Sequence, residues 1–211
     1  MGGGIFSGTA GLNINAGTGV IDVSTSSPGL HTVTYLTTGP CPSSSNVNVT
    51  INALPTVTFT TLNDLCIDAG NQTGLGGGLP TGGVYSGPGV TDAGNGTNYS
   101  YDPATAGVGV HTITYNFTDG NGCSGSASDF VETFFLPSVT FTAPMDLCLD
   151  AGNQTGLGGG LPAGGFYSGP GVTDAGNGTN YSFDPAVAGV GTHAITYTFT
   201  DGNSCSESAN D

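Results

Sequence analysis

The sequence predicts an all-β chain: tandem β-sandwich domains, with the first and last copies truncated. Three observations predict it. Apolar residues fall in short runs rich in Val, Ile, Thr, Tyr and Phe, and Gly, Pro, Asn and Asp separate the runs. No stretch shows a helical period, and the density of Gly, Pro and Thr opposes helices. The third observation is a repeat. Residues 54–129 align without gaps to 136–211 at an offset of 82, with 61 of the 76 positions identical. A period of that length is domain-sized, whereas a β-solenoid would repeat every 20–30 residues or so.

The first 53 residues read as a diverged copy without its beginning. Gly4-Ile5-Phe6-Ser7-Gly8 matches Gly83-Val84-Tyr85-Ser86-Gly87, and His31-Thr32-Val33-Thr34-Tyr35 matches His111-Thr112-Ile113-Thr114-Tyr115. The expected units are therefore residues 1–53 (copy one, the C-terminal part of a repeat), 54–135 (copy two, complete) and 136–211 (copy three, lacking its last strand). The expected parent is a longer tandem array.

Within copy two the elements follow in order. Thr56–Thr60 alternates Thr with Val or Phe, as a half-buried strand does. Leu65–Asp68 carries a cysteine. Gly83–Ser86 follows a Gly-Gly turn, and Thr97–Tyr101 alternates around Tyr99 and Tyr101. Val110–Thr118 is the longest run, with Ile113, Tyr115 and Phe117 on one face. Asp119-Gly120-Asn121-Gly122 is a hairpin turn, and Ser126–Phe134 returns as the last strand. Six or seven strands with turns every 8–12 residues or so, and two cysteines per repeat, fit an immunoglobulin-like sandwich.

Cysteine spacing repeats as well. Cys66 and Cys123 are 57 apart, as are Cys148 and Cys205, while Cys41 sits 82 before Cys123. The expected bridges are Cys66–Cys123 and Cys148–Cys205, each worth roughly 4 kcal/mol in the chain-entropy model. Cys41 is expected to be unpaired. Such bridges imply an oxidising, extracytoplasmic compartment.

Charge excludes several function classes. The chain has 15 acidic residues and no Lys or Arg, for a net charge of −15. Nucleic acid and anionic membrane surfaces need cations to meet them. Arg clamps and Lys Schiff bases are equally excluded. With 36% hydrophobic and only 7% charged residues, the chain is not a disordered acidic tail. No apolar run is long enough for a membrane-spanning helix.

The remaining chemistry is sparse. His31, His111 and His193 recur once per repeat without a second ligand, so each is read as satisfying backbone groups beside the preceding Gly-rich turn. Ser86, His111 and Asp102 lack the spacing of a nucleophile elbow, and no enzymatic activity is expected. Calcium is the candidate cofactor. Asp64 and Asp68 flank Cys66, and Asp119 and Asn121 adjoin Cys123. The expected bridge would gather these hard oxygen ligands at one pole. Asp146, Asp150, Asp201 and Asn203 repeat the set in copy three. Tyr85, Tyr99 and Tyr167 are candidate platforms for surface glycans.

Two motifs carry a family resemblance: G-G-V-Y-S-G-P-G-V (82–90) and D-P-A-T-A-G-V-G-V-H-T-I-T-Y-N-F-T-D-G-N-G-C (102–123). Copies two and three resemble the Gly-rich, PKD- or HYR-like tandem repeats of very large surface proteins of gliding bacteria, exported by the type IX system. The resemblance implies a structural or adhesive segment of an extracellular cell-surface fibre or stalk, with neighbouring repeats or subunits as its partners. Two alternatives stand beside it. One is a carbohydrate-binding or ancillary module of a secreted enzyme. The other is a filament subunit assembled by strand donation.

Overall fold

A computed structural model describes residues 3–211. Strand makes up 42% and helix 4%, so the all-β expectation holds. Copy one contributes β1 (Gly4–Gly8), β2 (Gly29–Thr37) and β3 (Ser44–Ile51), one antiparallel sheet in that order. Its small apolar centre is Val33 with the Phe6–Tyr35 pair, whose ring centroids lie 4.7 Å apart.

Copy two is a sandwich. Its elements are β4 (Leu65–Cys66), β5 (Gln72–Leu75), β6 (Val84–Ser86), β7 (Val90–Asp92), β8 (Tyr99–Tyr101), α1 (Pro103–Ala106), β9 (Gly109–Thr118) and β10 (Ser124–Phe134). One sheet runs β4-β10-β9-β6 and the other β5-β8-β7. Tyr85, Ile113, Tyr115 and Val131 of the first sheet meet Tyr99 and Tyr101 of the second in a single core. The predicted inward face of 110–118 is correct: Ile113 and Tyr115 are fully buried, and Phe117 packs at the margin.

Copy three repeats the plan with β11 (Gln154–Leu157), β12 (Phe166–Ser168), β13 (Val172–Asp174), β14 (Tyr181–Phe183), α2 (Pro185–Ala188), β15 (Thr196–Thr200) and β16 (Ser206–Asn210). Its sheets are β12-β15-β16 and β11-β14-β13, closing over Phe141, Tyr167, Tyr181, Ile195 and Tyr197.

Tyrosines organise these cores. The Tyr115 hydroxyl donates to the Pro80 carbonyl (2.6 Å) and accepts from the Gly83 amide (2.8 Å). Tyr85 accepts from Gly78 N–H (3.1 Å) and donates to the Thr97 carbonyl (3.2 Å). Each ring thus fills the core while its hydroxyl satisfies loop backbone, the usual use of a buried Tyr. Gly78 is required by approach: a Cβ there would lie 2.6 Å from the Tyr115 ring. Gly96 is required by conformation and approach together, with φ +72° and the Gly82 backbone 2.6 Å from where its Cβ would stand.

Three local expectations differ from the structure. Thr56–Thr60 is not a strand. It makes only the Thr58–Leu79 bridge, although Val57 and Phe59 do pack on the core. Alternation there reports burial, not a hydrogen-bonded ladder. Gln72–Leu75 and Val90–Asp92 are strands too short and too polar or Gly-broken to show a period. The helices α1 and α2 are single turns nucleated by Asp-Pro. Asp102 and Asp184 cap them through Ala104 N–H and Ala186 N–H, with proline in the first turn where its missing N–H costs nothing.

Candidate functional site: the covalent junction between repeats

The chemistry-bearing feature of the fold is a disulfide, and it is not either of the expected two. Cys66 of copy two bonds Cys205 of copy three, 139 residues away, with the Cα atoms 5.6 Å apart. Cys41, Cys123 and Cys148 carry no disulfide among the described residues.

Strand geometry explains the correction. β4 pairs in parallel with the far end of β10, placing Cys66 beside Phe134. Cys123 immediately precedes the near end of β10, where Asp119 N–H bonds the Cys123 carbonyl to close the β9–β10 hairpin. Eleven residues of extended strand separate the two ends, about 34 Å. A disulfide requires Cα atoms within about 7 Å, so Cys66 and Cys123 cannot pair inside one sandwich. The chain leaves copy two at the Cys66 end, since Phe134 leads directly to Pro137. It enters copy three at the hairpin end: in copy two, Pro55 and Val57 lie against Gly125, just past that hairpin. The first cysteine of one repeat therefore meets the second cysteine of the next. Cys205 is fully buried at this junction, its N–H held by the Asp201 carboxylate at 2.9 Å.

The candidate calcium residues divide in the same way. Asp64 and Asp68 lie at the Cys66 pole, and Asp119 and Asn121 lie at the opposite hairpin pole. The expected gathering of the four does not occur, nor does its counterpart from Asp146 and Asp150 to Asp201 and Asn203. Several of the carboxylates already serve the backbone. Asp64 accepts from Glu132 N–H (2.8 Å), Asp119 from Asn121 and Cys123 N–H (2.9 Å each), and Asp201 from Asn203 and Cys205 N–H (2.9 Å each). Among the described residues no three His, Cys, Asp or Glu side chains converge as a metal cage. One oxygen each of Asp64, Asp119 and Asp201 is thus committed to backbone N–H groups.

The histidines behave as read from sequence. Nε2 of His31, His111 and His193 bonds the carbonyl four residues earlier, of Ser27 (2.8 Å), Gly107 (2.7 Å) and Gly189 (3.0 Å) respectively. Asp102 is occupied by the Thr105 hydroxyl, which does most to lower its carboxyl pKa, and by Ala104 N–H, and makes no bond to His111 or Ser86. The glycan candidates are corrected outright. Tyr85, Tyr99 and Tyr167 are 3%, 1% and 3% exposed, so none can offer a face to a sugar.

A groove of about 480 Å³ opens beside copy three, lined in part by Pro144, Met145, Phe183 and His193. Its floor, Phe183 and Ile195, corresponds to Tyr101 and Ile113 of copy two. There the Tyr101 hydroxyl bonds Thr133 of β10 at 2.8 Å. In copy three that strand is represented only as far as Asp211, which pairs with Ile195.

Comparison with known proteins gives fold likeness only. No family model and no curated protein matches the chain. Among solved structures, a 1.5-MDa bacterial ice-binding adhesin is 12% identical, with 98% of this chain and 83% of that chain covered and a TM-score of 0.44. A Ca2+-stabilised, ice-binding adhesin of an Antarctic bacterium is 14% identical, with 100% and 64% covered and a TM-score of 0.42, so this chain spans less than two thirds of it. Mouse protocadherin-24 EC1–3 is 13% identical, with 99% and 88% covered and a TM-score of 0.33.

Proposed function

We propose that this chain is a load-bearing structural or adhesive segment of an extracellular cell-surface stalk, made of units 1–53, 54–135 and 136–211. The observation that carries the reading is the Cys66–Cys205 bond, which passes from one repeat into the next. A bond within a domain protects that domain. A bond between domains fixes their junction and shortens the path along which tension travels. The resemblance to type IX-secreted surface repeats supports the same placement, as does a disulfide that persists in an oxidising compartment. Neighbouring repeats are the partners in this reading, and no reaction is assigned to the chain.

Pulling the oxidised chain by its ends tests the proposal. Force entering at Cys66 crosses directly to Cys205, so 139 residue steps stay out of the path. At full extension the reduced chain should be longer by about 480 Å. Equal extensions for the oxidised and reduced chains would overturn the load-bearing reading.

A further inference from the structure

We propose that the Asp184–Pro185 bond of copy three is a self-cleavage site in mild acid, and that its counterpart in copy two, Asp102–Pro103, is protected. The motif D-P-A stands at both places, with the aspartate just ahead of a single helical turn. In an Asp–Pro linkage the side-chain carboxyl can reach the carbonyl of its own residue. The leaving group is a tertiary amide nitrogen, which departs as a secondary amine. Two contacts distinguish the copies.

The first lies on the carboxylate. Asp102 Oδ1 accepts from Ala104 N–H (3.0 Å), and Oδ2 accepts from the Thr105 hydroxyl (2.6 Å). Both oxygens are engaged, and the Thr105 bond does most to lower the pKa of that carboxyl. In copy three, Val187 stands in the place of Thr105. Asp184 Oδ1 still accepts from Ala186 N–H (2.9 Å), but among the described residues no hydrogen bond reaches Oδ2. Hydrogen bonds to carboxylates are among the stronger ones, so the oxygen without one is the freer nucleophile.

The second contact lies on the scissile carbonyl. The Asp184 carbonyl accepts from both Ala188 N–H (3.0 Å) and Val187 N–H (3.2 Å), whereas among the described residues the Asp102 carbonyl accepts from Ala106 N–H alone (2.9 Å). Two donors polarise the carbonyl and receive the negative charge that develops on its oxygen under attack. Copy three thus joins a free nucleophile to a doubly held carbonyl, and copy two has neither. The titratable side chains that share a groove with Pro185 are Asp146, His193 and Asp211. His193 is bonded to the Gly189 carbonyl and Asp211 to Ala143 N–H.

The chemistry is a hydrolysis. Oδ2 of Asp184 attacks the carbonyl carbon of the same residue, the carbon–nitrogen bond to Pro185 breaks, and the carboxyl proton passes to the proline nitrogen. A cyclic anhydride remains on Asp184. Water opens it, leaving two carboxyl groups there and a free amine on Pro185. The piece that begins at Pro185 carries Cys205, so the bond to Cys66 keeps both pieces together. Cleavage therefore nicks copy three without releasing it. This inference does not depend on the stalk reading.

Folded, oxidised chain is incubated at about pH 4, close to the ordinary carboxyl value, resolved with and without reductant, and mapped by mass spectrometry. Without reductant the chain should stay in one piece and gain one water. Reductant should release a fragment whose first residue is Pro185. Cleavage after Asp184 should run about tenfold faster than after Asp102, the effect of one hydrogen bond to a charged group. Val187→Thr should slow it, and Thr105→Val should speed cleavage after Asp102. In denaturant, where neither set of contacts survives, the two bonds should break at equal rates. Equal rates in the folded chain, faster cleavage after Asp102, or no cleavage at all would overturn the proposal. So would a preference that persists in denaturant or is unchanged by Val187→Thr.

Discussion

Tyr115 and Tyr181 are both fully buried, yet their hydroxyls stand in opposite circumstances. The Tyr115 hydroxyl holds two backbone groups, whereas that of Tyr181 has no partner. Tyr115→Phe leaves the Gly83 N–H unsatisfied in the interior and should cost about 1–3 kcal/mol in denaturant titration. Tyr181→Phe removes only an unpartnered polar atom, so the same titration should show no loss or a small gain. Burial pushes the Tyr181 phenol up to about 12, from an ordinary value of 10.0, with a smaller contribution from Tyr167. Its folded form therefore keeps a proton that the unfolded chain releases. Stability is intact below pH 10 and falls between about pH 10 and 12. The Tyr181 phenol, followed by its own NMR signal, should accordingly ionise late and together with unfolding, and its ionisation at the ordinary value in folded protein would contradict this.

The hairpin turns offer a natural comparison between two near-identical elements. Gly122 in copy two has φ +82°, and Ser204 in the same place in copy three has φ +67°, the sole non-Gly residue at positive φ among those described. An L-residue is strained there by about 1–2 kcal/mol relative to Gly. Ser204→Gly should raise the stability of copy three by roughly 1 kcal/mol, read as a higher midpoint of its unfolding transition, with copy two unchanged. The single-turn helices show how far elements were legible. An Asp before Pro is a helix start in the sequence, but four residues are too few to display a 3.6-residue period. The period-based reading therefore passed over them. Thr56–Thr60 failed in the other direction: its alternation is real, but only tertiary pairing decides whether an alternating segment joins a ladder.

Joining Cys66 to Cys205 restricts the unfolded chain over both complete sandwiches. The chain-entropy model gives an upper contribution of about 5 kcal/mol for a loop of this length, reduced because each sandwich has its own core and can open alone. Mild reduction should lower the melting temperature of copies two and three. Cys66→Ser should do the same, whereas Cys123→Ser should leave it unchanged. Under bridging within each repeat, Cys123→Ser would be as damaging as Cys66→Ser, so calorimetry of these two variants separates the connectivities. At this scale the net charge of −15 is met by no side-chain cation other than protonated His, and copies two and three are joined by the Cys66–Cys205 bond.

The sequence by itself determined the repeat, the all-β class, the inward face of the long strand and the backbone role of the three histidines. Each of these is written in local period or composition. The disulfide partners, the fate of the acidic turns and the burial of Tyr85, Tyr99 and Tyr167 were decided by the tertiary structure alone. Cys66 to Cys123 and Cys66 to Cys205 are equally regular spacings in a tandem array, and regularity cannot say which end of a strand a residue occupies. The parallel pairing of β4 with the far end of β10 does say so. It places the first cysteine of a repeat some 34 Å from the second cysteine of the same repeat, and within bonding reach of the second cysteine of the next.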